Sequence, residues 1–326
     1  MSLARRRAPM RVPYEAADFP SGSVRNTKSH LDVSWDEILW AALTVGRPNI
    51  HAVFDYGAAS LHEALFRISA VRLAVEQRVH WDPRLRRTDA FRRLDPTEKG
   101  AVSYFLGMTF CKVFASRMLN TPWLLHLDVF KDQVGAMLHE RSRPDLIGQN
   151  ASTGDWYSFE SKGRSSPPTT GDKDNAKGQA SRIASVDGQA PALHIASFTF
   201  LRSEELEFYW RDPEPLGEPI VISDTEGAWR WHYEPVTMLW RAAASDAADA
   251  PDAEARVKSL EDVDLGVAIH PKIARALEND DWSTARKIAL GMQQELRELS
   301  YEPDGVAIRT GPSWTLPFRS DEQPFG

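Results

Sequence analysis

The hydrophobic positions of the N-terminal third repeat with a helical period. Ser34 is a helix-capping residue type, and Glu37 stands at the reciprocal position of a capping box. Apolar residues then recur every three or four positions, and a second helical pattern extends from residue 58 to residue 79. The pattern therefore predicts a helical N-terminal region over residues 31–94.

A further helix is predicted by strong local signals at its start. Asp95 suits the N-cap, Pro96 suits the first helical position, and Glu98 can complete a capping box. The residues that follow, to about Leu119, are apolar nearly all round. Such a helix must be buried between layers rather than lie on the surface.

The middle of the chain has the two-residue period of β-strands. In residues 156–163, Trp156, Ser158, Glu160 and Lys162 alternate with the residues of the other face. Three aromatic residues from Trp229 to Tyr233 also alternate, and we expect a strand there, followed by a helix from Val236 to Ala244. The other predicted strands cover residues 122–130, 143–148, 193–200 and 205–210.

The flanking regions have weaker patterns. Residues 1–30 contain proline, glycine, serine and charges without periodicity, which predicts a flexible basic arm. Residues 241–256 are rich in alanine, aspartate and proline, which is typical of a linker. Residues 257–326 combine short helical and strand patterns without an assignable motif, and we expect a C-terminal α/β extension.

Composition limits the class of protein. The chain has 326 residues with a formal net charge of -7, so it does not bind nucleic acid through bulk positive charge, although a local basic groove is enough for phosphate contacts. The single cysteine, Cys111, excludes an internal disulfide and a thiolate zinc cluster, which fits a cytoplasmic protein. The absence of a long apolar run and of a secretory signal predicts no membrane association.

Candidate chemistry is concentrated in two neighbouring predicted strands. Pro144-Asp145 lies in the first strand, and the second contains Glu160-Ser161-Lys162, which is the only acidic-x-Lys triplet in the chain. Because side chains alternate along a strand, Glu160 and Lys162 point to the same face. A surface hairpin with an incidental charge pair would give the same pattern, so the residues alone leave both interpretations open.

These residues resemble the PD-(D/E)xK motif of restriction-endonuclease-like nucleases. The resemblance covers about residues 95–210. It implies an α/β (α+β) fold with an αβββαβ core, which we assign to residues 95–240. It also implies metal-dependent hydrolysis of phosphodiester bonds, most often in DNA, in restriction, phage defence or repair.

The resemblance assigns roles to individual residues. Asp145, Glu160 and the backbone carbonyl of Ser161 would bind Mg²⁺ or Mn²⁺, because hard oxygen ligands suit these ions. Lys162 would act as a base or as an electrostatic clamp, and both roles stay open. Glu98 is a candidate third acidic ligand, with helix capping as its simpler explanation.

The resemblance also implies a helix after the second strand, which we place from Asp172 to about Val186. Its Gln179 would position water or phosphate. The basic side chains expected to contact nucleic acid are Arg164, Lys173, Lys177 and Arg182.

Other classes of function remain open. The same fold can serve as a catalytically silent module that binds nucleic acid or a protein partner, and the hairpin can be incidental to a helical interaction protein. The N-terminal or C-terminal region is a candidate surface for a homodimer or a protein partner. DNA is preferred to RNA only because most of the family acts on DNA.

Overall fold

The computed structural model describes residues 9–45, 58–78, 82–127, 143–202, 204–212, 220–222, 229–242, 258–260 and 264–315. The helices in these ranges are α1 (Trp35–Thr44), α2 (Ala58–Ala74), α3 (Asp89–Arg93), α4 (Pro96–Leu119), α5 (Thr170–Ala180), α6 (Trp229–Ala242), α7 (Pro271–Glu278), α8 (Trp282–Gly291), α9 (Gln293–Glu298) and a 3₁₀ turn (Pro312–Thr315). The strands are β1 (Met10–Ala17), β2 (Thr27–Val33), β3 (Val75–Glu76), β4 (Arg86–Arg87), β5 (Leu124–His126), β6 (Leu146–Gln149), β7 (Trp156–Arg164), β8 (Ile183–Val186), β9 (Leu193–Arg202), β10 (Glu205–Arg211), β11 (Ile220–Ile222), β12 (Lys258–Leu260), β13 (Leu265–Ile269) and β14 (Val306–Thr310).

Most strands belong to one large mixed sheet with the order β2-β1-β10-β9-β7-β6-β5. The pairs β1/β10 and β7/β9 are parallel, and the other neighbours on this path are antiparallel. The short strands β3 and β4 join the sheet at β10. Two smaller sheets are formed by β8 with β11 and by β12-β13-β14. The described fold is therefore a mixed α/β fold, as the sequence predicts in general terms.

Helices cover both faces of the central strands. Phe159 and Ile195 lie opposite each other in β7 and β9, and both pack in the hydrophobic cluster that contains the apolar residues of α4. Ala196 and Phe198 point to the other face, where they cluster with Ala176 of α5. The strand period thus places β7 between α4 and α5.

Helix α4 begins as its sequence predicts. The Asp95 carboxylate accepts hydrogen bonds from the backbone N–H groups of Thr97 (2.7 Å) and Glu98 (3.3 Å), and the Glu98 side chain accepts one from Asp95 N–H. Pro96 occupies the first turn, and Asn120 ends the helix in the left-handed conformation with φ of 49°. The expected capping box and the burial of the helix are both confirmed.

The expectation of a flexible arm over residues 1–30 is wrong where the structure describes this region. Residues 10–17 form β1, which pairs in parallel with β10, and residues 27–33 form the neighbouring strand β2. Met10, Val12 and Ala16 are buried, whereas the middle of β2 is exposed. The strand pattern is weak because β2 is an edge strand with one paired side. Residues 1–8 lie outside the described part.

The strand expected at residues 229–233 is also wrong, because these residues begin helix α6. Trp229 and Tyr233 are buried in one cluster, and Pro235 lies inside the helix rather than before it. Most of the predicted linker, residues 243–256, lies outside the described residues. The C-terminal strand β14 packs on α1, and β13 packs on α6. None of the helices that the structure describes is long and apolar enough to cross a membrane.

Candidate active site

The two strands predicted to carry the motif are adjacent and antiparallel. Leu146 of β6 pairs with Phe159 of β7, so Asp145, which directly precedes β6, lies next to Glu160. The turn between the strands is held by Asn150, whose side-chain oxygen accepts hydrogen bonds from two backbone N–H groups of the loop. Local turn chemistry thus fixes the register that brings Asp145 to β7.

The side chain of Asp145 forms a hydrogen bond with the backbone of β7. Its Oδ2 atom accepts a hydrogen bond of 2.9 Å from the backbone N–H of Ser161. Burial raises the pKa of Asp145, and the Ser161 N–H and the positive charges of Lys162 and Arg143 oppose this increase. The carboxylate is therefore held at a fixed place beside the strand that carries Glu160 and Lys162.

Glu160 is the most buried carboxyl group of the site, with 1% of its surface exposed. Its Oε1 atom forms an ion pair with Lys162 Nζ, and its Oε2 atom has no hydrogen-bond partner among the described residues. Burial raises the pKa of Glu160 to about 8, helped by repulsion from Asp145 and opposed by Lys162. A buried and a half-buried carboxyl group next to each other, one with an unpaired oxygen, form a site that a cation would stabilise.

Lys162 lies at the open end of this cluster. Its side chain is 38% exposed, compared with the fully covered Glu160 with which it pairs. On β7 it lies next to Phe198 of β9, on the sheet face that α5 covers. Lys162 thus pairs with the buried Glu160 while part of its side chain remains exposed to solvent.

The end of β7 approaches the backbone of α4 closely. A Cβ atom on Gly163 would lie 1.5 Å from the backbone oxygen of Ser103, and a Cβ atom on Gly107 would lie 2.6 Å from Gly163 N. Only glycine fits at both positions, because the obstructing atoms belong to backbone. This contact fixes the position of β7 relative to α4 at Gly163, the residue after Lys162.

We expect Gly163→Ala to destabilise the protein by about 1–3 kcal/mol, because helix and strand must separate to admit the methyl group. Urea unfolding monitored by circular dichroism measures the change. Gly100→Ala, in the helix α4 that Gly163 contacts, is the control: its added Cβ would meet nothing within 4 Å. The control should be neutral or stabilising by up to about 1 kcal/mol. Equal stabilities of the two variants would contradict the close contact.

Sequence reasoning missed two residues near the carboxylates. Tyr104 of α4 and His126 of β5 form a hydrogen bond of 3.0 Å between the Tyr104 hydroxyl and His126 Nε2. Burial raises the pKa of Tyr104 to about 12, and the negative charges of Asp145 and Glu160 contribute. Burial also lowers the pKa of His126 to about 3, so this ring is neutral. The signal in the sequence is a tyrosine hydroxyl and an imidazole in otherwise apolar runs.

The structure does not bring Glu98 into the cluster. Its side chain is exposed and is used in the capping box of α4, so the capping explanation accounts for this residue. Gln179 is half-buried in α5, and its backbone carbonyl accepts a hydrogen bond from Arg182 N–H. Ser161 is buried between Glu160 and Lys162, as its position in the strand requires.

Two of the predicted basic contacts have partners within the protein. Arg164 forms an ion pair of 2.6 Å with Asp172, and the Lys173 ammonium lies 3.8 Å from the centre of the Tyr209 ring. Arg182 is half-buried just after α5. The side chain of Lys177 lies outside the described part of the structure. Contacts of Arg164 and Lys173 with nucleic acid would therefore compete with these intramolecular contacts.

The donor atoms of the site fit a hard divalent cation. Within the described ranges, no group of three or more His, Cys, Asp or Glu side chains is placed to hold a metal ion. Two carboxylates and a backbone carbonyl remain, and Mg²⁺ is usually bound by one or two carboxylates together with waters and substrate phosphates. No protein-family model matches the chain, and neither do curated proteins or solved structures. The functional argument therefore depends on this geometry.

Proposed function

We propose that this protein is a metal-dependent nuclease of the PD-(D/E)xK type, most simply a DNA endonuclease. The observation that carries the proposal is the convergence of Asp145, Glu160 and Lys162 at the β6/β7 pair. Two carboxyl groups are held together there with raised pKa values, next to a partly exposed lysine. Catalytic sites are where such costly arrangements of charge concentrate.

The order of elements supports the same family. Helix α4 is followed by the antiparallel strands β5, β6 and β7, then by α5 and by β9, which is parallel to β7. This is the αβββαβ order that the sequence resemblance implies. The strand β8 is an addition between α5 and β9, and it pairs with β11 outside the main sheet.

Each residue has a defined part in the proposed reaction. Asp145, Glu160 and the Ser161 carbonyl would hold Mg²⁺ or Mn²⁺, and the ion would polarise the scissile phosphate and lower the pKa of a bound water. Lys162, which pairs with Glu160 in the structure, would orient that water or stabilise charge on the phosphate. Asp145 is oriented by the Ser161 N–H, so it would be in place before the substrate binds.

A cleavage assay tests the proposal. We expect the protein to cut plasmid, linear or single-stranded DNA with Mg²⁺ or Mn²⁺ and not in EDTA, with the rate lowered at least about 100-fold by Lys162→Ala. Asp145→Asn should have a similar effect, because it removes a metal-binding charge. Lys272→Ala is the control, since this exposed lysine pairs with Glu295 in the C-terminal region. Metal-dependent cutting that survives Lys162→Ala would refute the assigned role.

The second candidate function is a nuclease-like module that binds nucleic acid or a protein partner without cutting. It is favoured by the lack of a third acidic group at the site within the described residues. Under this alternative, the folded wild-type protein binds DNA or RNA in a shift assay with Mg²⁺ or Mn²⁺ and leaves it intact.

A further inference from the structure

A cavity lies at the end of β7, on the α4 side of the sheet, and has no role in the chemistry proposed above. It is open, has a volume of about 450 Å³, and is formed by the first turns of α4 and by residues 163–166, which follow Lys162. The wall from β7 begins at Gly163, which directly follows Lys162; because side chains alternate along a strand, Gly163 faces α4, whereas Lys162 lies on the face that α5 covers. We call this cavity the α4 groove.

The polar groups of the α4 groove favour an anion. Lys99 lines it, and the ammonium group of Lys99 forms no ion pair with the acidic residues that the structure describes. Arg164 also lines it but pairs with Asp172, and two serines, Ser165 and Ser166, expose their side chains there. The carboxyl groups of the capping box, on Asp95 and Glu98, are not part of the lining.

A buried hydroxyl gives a second, independent indication of a ligand. Ser103 lines the α4 groove with only 2% of its surface exposed, and its Oγ atom has no hydrogen-bond partner among the described residues. A buried hydroxyl without a partner is unfavourable by about 1–3 kcal/mol. A ligand oxygen in the groove would supply the missing partner.

We infer that the α4 groove binds a phosphate group of the nucleic-acid strand where that strand passes the end of β7. This inference rests on the proposed function, and it adds a binding subsite that the nuclease motif does not include. The phosphate oxygens would accept hydrogen bonds from Ser103 and the exposed serines, and Lys99 would neutralise the charge. The contact is to the backbone, so it positions the strand and selects no base.

Binding without metal separates this inference from the proposed reaction. Titration of a labelled oligonucleotide in EDTA at several salt concentrations gives the affinity and its salt dependence. We expect Lys99→Gln to weaken binding and to reduce the slope of log K against log salt by about 0.7–0.9, the value for one lost phosphate contact. Lys272→Gln, the same change at an exposed lysine outside the groove, should leave the slope unchanged.

Ser103→Ala provides a second variant that should fold normally, because the hydroxyl it removes has no partner within the described protein. We expect it to weaken oligonucleotide binding without lowering the melting temperature. Backbone NMR signals of Gly100 and Gly163 should shift with the oligonucleotide and, more weakly, with inorganic phosphate. If the signals respond to inorganic phosphate but not to the oligonucleotide, the ligand of the groove is a free phosphate rather than the nucleic-acid strand.

Unchanged affinity and slope in Lys99→Gln and Ser103→Ala would overturn the inference even if the wild type cuts DNA. If Lys162→Ala alone abolishes cutting, and Lys99→Gln and Ser103→Ala both weaken binding, the results support the proposed function and the subsite together. A wild type that binds through the groove in EDTA but never cuts with metal would support the subsite and refute the proposed reaction.

Discussion

Replacing Glu160 by glutamine is expected to abolish metal-dependent cutting and, without metal, to make the protein more stable than wild type at pH 8.5. Cutting depends on the carboxylate as a metal ligand, so we expect a loss of at least about 100-fold. The stability should increase, because Glu160 is only 1% exposed and lies beside Asp145, so its negative charge is unfavourable in the folded protein. The amide keeps the shape of the side chain without its charge.

The direction of the pH dependence follows from the raised pKa of Glu160. In the unfolded chain this carboxyl loses its proton near its ordinary value of 4.5, whereas in the folded protein it keeps the proton to about pH 8. The folded state therefore binds more protons between these values, and the stability of the wild type falls as pH rises through this window. The loss is on the order of a few kcal/mol and is complete above pH 8.

Urea unfolding in EDTA at pH 4 and pH 8.5 measures this effect. We expect Glu160→Gln and wild type to differ little at pH 4, and the variant to be more stable at pH 8.5. Glu98→Gln is the matched control, because the same change at an exposed capping residue should produce no gain at high pH. Mg²⁺ should then raise the stability of the wild type at pH 8.5 but not that of Glu160→Gln. An equal response of both to Mg²⁺ would place the ion elsewhere.

Asp304→Ala is expected to destabilise the protein by about 3–5 kcal/mol, because it leaves buried polar groups without their partner. Asp304 is fully buried, and its Oδ2 atom accepts hydrogen bonds of 2.7 Å from Trp40 Nε1 and from His232 Nε2. Its Oδ1 atom accepts a hydrogen bond from the backbone N–H of Val306. One carboxylate thus connects α1, α6 and the segment that leads into β14.

The network extends to a buried lysine. Lys112 of α4 is also fully covered, and its Nζ atom lies 3.3 Å from Nδ1 of His232 and contacts the Thr44 hydroxyl. Burial lowers the pKa of Lys112, and burial together with Lys112 lowers the pKa of His232 to about 4. His232 is therefore neutral at pH 7, with its proton on Nε2, the atom bonded to Asp304. Removing Asp304 would leave Lys112 near a neutral ring without the carboxylate that favours its charge most.

Asp304→Asn is the control, because it keeps the shape and one acceptor oxygen while it removes the charge. We expect its destabilisation at pH 7 to be smaller than that of Asp304→Ala. Lys112→Met removes the buried cation instead, and we expect it to destabilise the protein as well, because it leaves the buried Asp304 carboxylate without that charge. Chemical unfolding at pH 7 compares all three. A loss below about 1 kcal/mol in Asp304→Ala would show that the network contributes little to the fold.

Local signals in the sequence were sufficient to predict the helix and the strand next to the site. The capping box at Asp95 predicts the start of α4, and the alternation around Glu160 predicts β7. In both cases the determining interactions lie within a few residues along the chain. The strands β1 and β2 were missed for the opposite reason. Tyr14 pairs with Phe208, nearly two hundred positions away, so the local pattern lacks the partner that stabilises the strand.

Helix α6 shows how a local pattern misleads. Trp229 and Tyr233 are four residues apart, which is compatible with one face of a helix as well as with one face of a strand. The alternation of aromatic residues from Trp229 to Tyr233 favoured a strand. Packing of α6 against α1, α2 and α8 favours the helix, because its buried aromatic residues then face one cluster. Tertiary contacts therefore decide whether residues 229–233 form a strand or a helix.

The sequence alone determined the chemical groups of the site, their order, and the strand that carries Glu160 and Lys162 on one face. It also separated Pro144-Asp145 from the same dipeptide at Pro303-Asp304, because no acidic-x-Lys triplet follows the second pair. The tertiary structure places Asp145 against Ser161 at the candidate site and Asp304 in a buried network with His232. The reason is physical. Burial and the neighbouring charges set the pKa of a carboxyl group, and both depend on contacts between segments that are distant in the sequence.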